Sequence, residues 1–175
     1  METLTESVEI NAPFEKLCSW IDNFEEEFVR WSPYHIECQL LTGGINKGDK
    51  VRFYEIVAGM DYDITGTITQ SVRAKDHFAF TFQAKDAVIT FEGKRTHTGC
   101  TFKHTESFGI PAPIIGPVLN FLIFKVFFRK QADWNIIRDD MILDNLYLSD
   151  ILTEGKYPDR MPVEELKKQG RKWKE

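Results

Sequence analysis

From Tyr34 to Phe108 the sequence writes one strand-like segment after another: YHIECQLL, DKVRFYEIVAG, DYDITGTITQSV, HFAFTFQA, VITFEG and GCTFKHTESF. Turn signals separate them, among them Gly43-Gly44, Asn46-Lys-Gly-Asp49 and Thr98-Gly99. A parallel pair would need a crossover of about a dozen residues or more, and no gap here is long enough to hold one. Consecutive segments therefore pair as an antiparallel meander. A sheet of this kind must cover its apolar face, and the flanks supply the cover.

Before the meander, TLTESVEIN places Leu4, Val8 and Ile10 on one side, which suggests a half-buried strand over 3–11. Asn11-Ala-Pro13 then opens a helix, with Asn11 expected to cap it and Phe14, Leu17, Trp20 and Ile21 forming its apolar stripe. A second short helix is expected over Glu25–Trp31 and stops at Ser32-Pro33, because a residue before proline avoids the helical region. After Phe108 a long helical region runs from about Pro117 to Leu152. The remaining tail, 153–175, carries Gly155, Pro158 and Pro162 and is expected to cross the surface, with a short helix from Val163. The expectation is one α+β domain over 1–152: a curved antiparallel sheet wrapped around a long C-terminal helix, with two short N-terminal helices.

Composition narrows the function classes. Hydrophobic residues make up 42% and charged residues 28%, which excludes a disordered chain. A net charge of −5 gives no basic surface for nucleic acid. Three cysteines with no close pair, and no recognisable signal peptide, point to reduced thiols in a cytoplasmic compartment. No CxxC, HxxxH, GxGxxG or Walker-type loop occurs, so no cofactor is expected from motifs. The uncharged run FGIPAPIIGPVLNFLIF contains Pro111, Pro113 and Pro117, which argues against a membrane-spanning helix. Peripheral membrane contact through Phe121, Leu122, Phe124, Phe127 and Phe128 stays open.

Alternation assigns the inward residues. Val51, Phe53, Glu55 and Val57 share one face, opposite Arg52, Tyr54 and Ile56. Cys100, Phe102, His104, Glu106 and Phe108 share another. Glu55, His104 and Glu106 therefore point inward amid apolar neighbours, where a carboxylate needs a partner, a shifted pKa or water. They pair structurally, or they bind or protonate a ligand; as catalytic candidates they are the first choice. Phe53, Phe80, Phe102, Trp31, Trp134 and Met141 are expected to supply apolar lining for a small hydrophobic or aromatic ligand. His35 follows Trp31-Ser-Pro33-Tyr at the expected pocket mouth, yet strict alternation turns it to the outside, as an ordinary surface or capping histidine. Asp140 and Asp144 stand one helical turn apart and are expected to be solvated, as acidic pairs on helices usually are.

The order of elements resembles the helix-grip fold of the START-like (SRPBCC) superfamily, which includes lipid-transfer domains, polyketide cyclases and the birch-pollen-allergen group. The resemblance rests on SVEINAPFEKLCSWIDN and GGINKGDKVRFYEIVAG, and covers the chain up to Leu152. It implies binding or transport of a hydrophobic or aromatic molecule between sheet and C-terminal helix. A narrower resemblance, to zinc-dependent hydrolases of acylphloroglucinols, is carried by Trp31-Ser-Pro33-Tyr-His35 and by Glu55 in FYEIVAG. In that family a His and a Glu four apart on the last helix complete the set. Here that helix holds no histidine, and the pair with this spacing is Asp140 and Asp144. The alternative function implied is a metal-dependent hydrolase or polyketide cyclase-like enzyme. Its divalent metal would be held by His35, Glu55, Asp140 and Asp144, an oxygen-rich set that suits a hard ion.

Overall fold

A computed structural model describes residues 1–57, 59–110, 116–121 and 134–169. The elements are β1 (Glu2–Ile10), α1 (Phe14–Asp22), α2 (Phe24–Trp31), β2 (His35–Leu40), β3 (Lys50–Val57), β4 (Met60–Arg73) and β5 (His77–Gln83). They continue with β6 (Ala87–Arg95), β7 (Cys100–Phe108), α3 (Gly116–Phe121), α4 (Trp134–Glu154) and α5 (Val163–Gln169). The seven strands form one sheet in the order β1-β7-β6-β5-β4-β3-β2, every neighbouring pair antiparallel. The helix-grip architecture expected from the sequence is the architecture found.

Local chemistry explains the meander. The β4–β5, β5–β6 and β6–β7 hairpins are each closed by a backbone N–H donated to the carbonyl three residues on: Ala74 to His77, Ala84 to Ala87 and Thr96 to Gly99. The β2–β3 loop is pinned by Asp49, whose carboxylate accepts from the Thr42 hydroxyl and the Asn46 backbone N–H. β1 joins last in space, pairing with β7 from Glu2↔Phe108 to Ile10↔Cys100.

The concave face buries Phe53, Phe80, Phe82, Phe91 and Phe102 against α1 and α2. Phe24 is the hub, with its ring centroid 5.2 Å from Phe80, 5.6 Å from Phe28 and 6.0 Å from Phe53. Gly93 makes this seat possible, since a Cβ there would stand 2.4 Å from the Phe78 ring and 2.9 Å from Leu17 of α1. Asn11 does not cap α1: the preceding position is Pro13, with φ −54° and ψ 136°, and no side chain caps the helix. Proline's fixed φ sets the chain's entry there, so the cap is dispensable.

The expected continuous helix over 117–152 is described as α3 and α4; residues 122–133, with Leu122, Phe124, Phe127 and Phe128 of the proposed membrane contact, lie outside the described residues. No helix among the described residues is long and apolar enough to cross a membrane. The tail returns to the domain. Arg160 donates to the carbonyls of Val29, Ser32 and His35, and Tyr157 donates to the Glu27 carboxylate. α5 packs on β3 from the convex side. Leu166 and the outward-facing Ile56 are both fully buried.

Candidate functional site

The bulge at the start of β2 decides the site. His35 pairs with Glu55 and Glu37 with Tyr54, so β2 spends two residues where β3 spends one. The extra residue lets both His35 and Cys38 face inward, at 2% and 5% exposure. This corrects the surface position expected for His35, because alternation holds only while the ladder is regular. The His35 ring stacks on Phe28 at 4.0 Å and meets the edge of Trp31 at 5.1 Å. Its Nδ1 lies 2.8 Å from the Phe28 carbonyl, which fixes the proton on that nitrogen. Its Nε2 faces Asp144 Oδ2 at 3.2 Å.

Asp144 is likewise corrected from solvated to buried, at 2% exposure. It shares the sheet-facing stripe of α4 with Met141, Asn145, Leu148, Ile151 and Leu152. The backbone carbonyl of Asp144 accepts from Trp31 Nε1–H at 2.7 Å, tying the end of α2 to α4. Asp140 lies one turn earlier and is partly buried.

From β7, His104 and Glu106 project to the same point, His104 Nε2 and Glu106 Oε1 being 3.0 Å apart. The angle does not make a hydrogen bond, so both ring nitrogens of His104 lack a hydrogen-bond partner among the described residues, as does Asp144 Oδ1. Glu55 enters from β3. The aromatic walls are Phe28, Trp31, Phe53 and Phe91, and the enclosed space is about 10 Å³. That is room for about one water. Phe80 and Phe102 pack within the aromatic core rather than on this space, Met141 is buried in the α4 stripe, and Trp134 packs on Phe108 at 5.6 Å. Phe28, Ile89 and Phe91 line it without having been singled out in the sequence; Phe91 and Ile89 were legible from β6, where they alternate with Thr90 and Glu92. Beside it an open groove of about 210 Å³ is lined by Tyr34, Val57, Ile136, Asp140, Leu143 and Gln169, among others.

Burial dominates the electrostatics. It pushes the Glu55 carboxyl up to about 7, with Glu106 and Asp144 adding to the rise against the pull of His35. Burial, then the negative charge of Asp144, Glu55 and Glu106, holds Asp140 well above the usual carboxylate range. For His35 burial alone would lower the pKa, but the Asp144 charge and hydrogen bond, helped by Glu55, raise it. The four residues expected to hold a metal do not open toward a common ion: His35 Nε2 is engaged with Asp144, and among the described residues no group of three or more His, Cys, Asp or Glu is disposed to hold one. A carboxyl with a pKa of about 7 in this space can accept or donate a proton near neutrality.

Comparison with known proteins places this geometry in a family of shapes. A family model described as polyketide cyclase/dehydrase and lipid transport matches residues 1–133. TTHA0849 from Thermus thermophilus superimposes with a TM-score of 0.60 at 11% identity, covering 89% of this chain and 99% of that one. The KanY protein gives 0.62 at 15% identity, covering 86% and 97%. The Aha1 dimer from Colwellia psychrerythraea gives 0.58 at 13% identity, covering 89% and 99%. No curated protein sequence matches the chain. At these identities the likeness is one of fold.

Proposed function

Because the chain belongs to the polyketide cyclase/dehydrase and lipid transport family, a small-molecule-binding fold, we propose that it binds or carries a hydrophobic or aromatic small molecule between the sheet and α4. Glu55, His104 and Glu106 orient the ligand's polar end. The observation that carries this reading is the orphaned polar set: the His104 ring and Asp144 Oδ1 are buried beside unfilled space and have no hydrogen-bond partner among the described residues. Such groups cost about 1–3 kcal/mol each until something satisfies them. The enclosed space holds only a polar head, so the ligand's apolar body occupies the adjoining groove. Cys18, Cys38 and Cys100 are free thiols, which fits a reducing, cytoplasmic compartment.

Native mass spectrometry of freshly purified protein tests the reading: a co-purifying adduct that is lost on denaturation is expected. Bare protein that also shows no thermal shift with any aromatic compound in a screen overturns it.

A second reading, an acid–base enzyme of the cyclase or hydrolase kind on a polyketide-type substrate, is favoured by Glu55 alone, whose pKa of about 7 suits a general base. No metal step enters it. Turnover of an acylphloroglucinol that disappears in Glu55→Gln would establish it over simple carriage.

A further inference from the structure

We infer that the ligand's buried head is a protonated amine, so that the site selects arylalkylamines over alcohols and carboxylates of the same shape. This rests on the small-molecule reading above and adds the chemistry of the ligand.

The enclosed space combines two features that recognise an ammonium group. Its walls are aromatic, with Phe28, Trp31, Phe53 and Phe91 around it. Aromatic faces carry negative charge density and attract a cation within about 6 Å. Carboxyl groups line it too, Glu55 from β3, Glu106 from β7 and Asp144 from α4. Asp144 Oδ1 is the sharpest element: it is buried and has no hydrogen-bond partner among the described residues. A carboxyl oxygen accepts hydrogen bonds, so what Oδ1 lacks is a donor. An ammonium group is about the size of water and brings up to three donors, which matches a space of about 10 Å³.

A carboxylate head meets the opposite conditions. Among the described residues no lysine or arginine lines either the enclosed space or the groove. The facing titratable groups are Tyr34, His35, Glu55, Tyr62, His104, Glu106, Asp139, Asp140 and Asp144, and acids outnumber histidines. His35 is already committed on both nitrogens, to Phe28 and Asp144. His104 can donate or accept, so it favours neither head.

The groove fits the body. Tyr34, Val57, Ile136 and Leu143 give it apolar sides, and about 210 Å³ exceeds a cavity of about 150 Å³ that holds benzene. Val57 of the groove is the next inward residue after Glu55 on β3, and Asp140 of the groove stands one turn before Asp144 on α4, so the two spaces are neighbours. A bound cation favours the ionised form of Glu55, whose pKa of about 7 means that binding near neutrality expels a proton.

The test uses the full chain and three probes sharing one body: phenethylamine, 2-phenylethanol and 3-phenylpropionate, titrated by calorimetry. At pH 8 the amine is expected to bind at least about tenfold more tightly than the alcohol, with the carboxylate weakest. Between pH 6 and pH 8 amine affinity rises about tenfold, following ionisation of Glu55, and the wild type alone suffices for this readout. In Glu55→Gln the amine's advantage over the alcohol collapses. An alcohol or carboxylate that binds as well as the amine, or an amine affinity flat with pH, overturns the inference and leaves the small-molecule reading standing. Binding by none of the three overturns both.

Discussion

The concave face of the sheet is two regions joined along the same strands. At one end Phe53, Phe80, Phe82, Phe91 and Phe102 interlock beneath α1 and α2, with neighbouring rings such as Phe80 and Phe91 only 5.1 Å apart. Two to four residues further along β3 and β7, the inward positions change from Phe53 to Glu55 and from Phe102 to His104 and Glu106. There α4 adds Asp144 instead of another apolar side chain, and atoms remain unpaired. The first region gains free energy from close packing; the second gives some of it up by desolvating charge. A strand thus carries stability and chemistry at adjacent positions of one face, with no separate loop for the site.

Three experiments break or sharpen that contrast. The largest effect is expected at the aromatic end, where Phe80→Ala should cost about 3–5 kcal/mol in denaturant unfolding, by loss of buried area and creation of a cavity. A cost under about 1.5 kcal/mol would show that this end is loosely packed as well. The next concerns pH. The folded-state pKa of Glu55 lies above its ordinary 4.5, at about 7, and that of His35 is also raised. Both groups therefore bind more protons folded than unfolded, so their contribution is fully present at low pH and falls as pH rises through the interval. The melting temperature should fall from pH 5 to pH 8, and Glu55→Gln should flatten the fall, with a gain of up to about 3 kcal/mol at pH 8. A profile that rises over this range, or is identical in the variant, would show that Glu55 is solvated. The smallest is Arg160→Ala, which frees three carbonyls at the exit of α2 and should cost about 1 kcal/mol while weakening ligand binding through His35. An unchanged affinity would detach the tail from the site.

Legibility followed regularity. The meander, the two short helices and the inward parity of Glu55, His104 and Glu106 were all readable, because alternation and helical stripes are enforced by burial of one face. His35 was expected at the pocket mouth, but its inward turn was not legible, because a single bulge reverses parity and has no signature in HIECQL. Asp144 escaped for a different reason. It stands three residues after Met141 and four before Leu148, on the buried stripe, but an acidic residue there looks solvated until its partner across the core is known. The burial of Ile56 on the strand that α5 packs against was invisible too, since an apolar residue on the solvent face of a strand does not say which distant segment will cover it.

The pairing of β1 with β7 carries a consequence for synthesis of the chain. Thr3 meets Ser107 across 104 positions of sequence, so β1 waits without this neighbour until β7, the last strand of the sheet in chain order, has been made. Closure of that ladder is a late, long-range event, and it sets the pace of folding for the whole sheet.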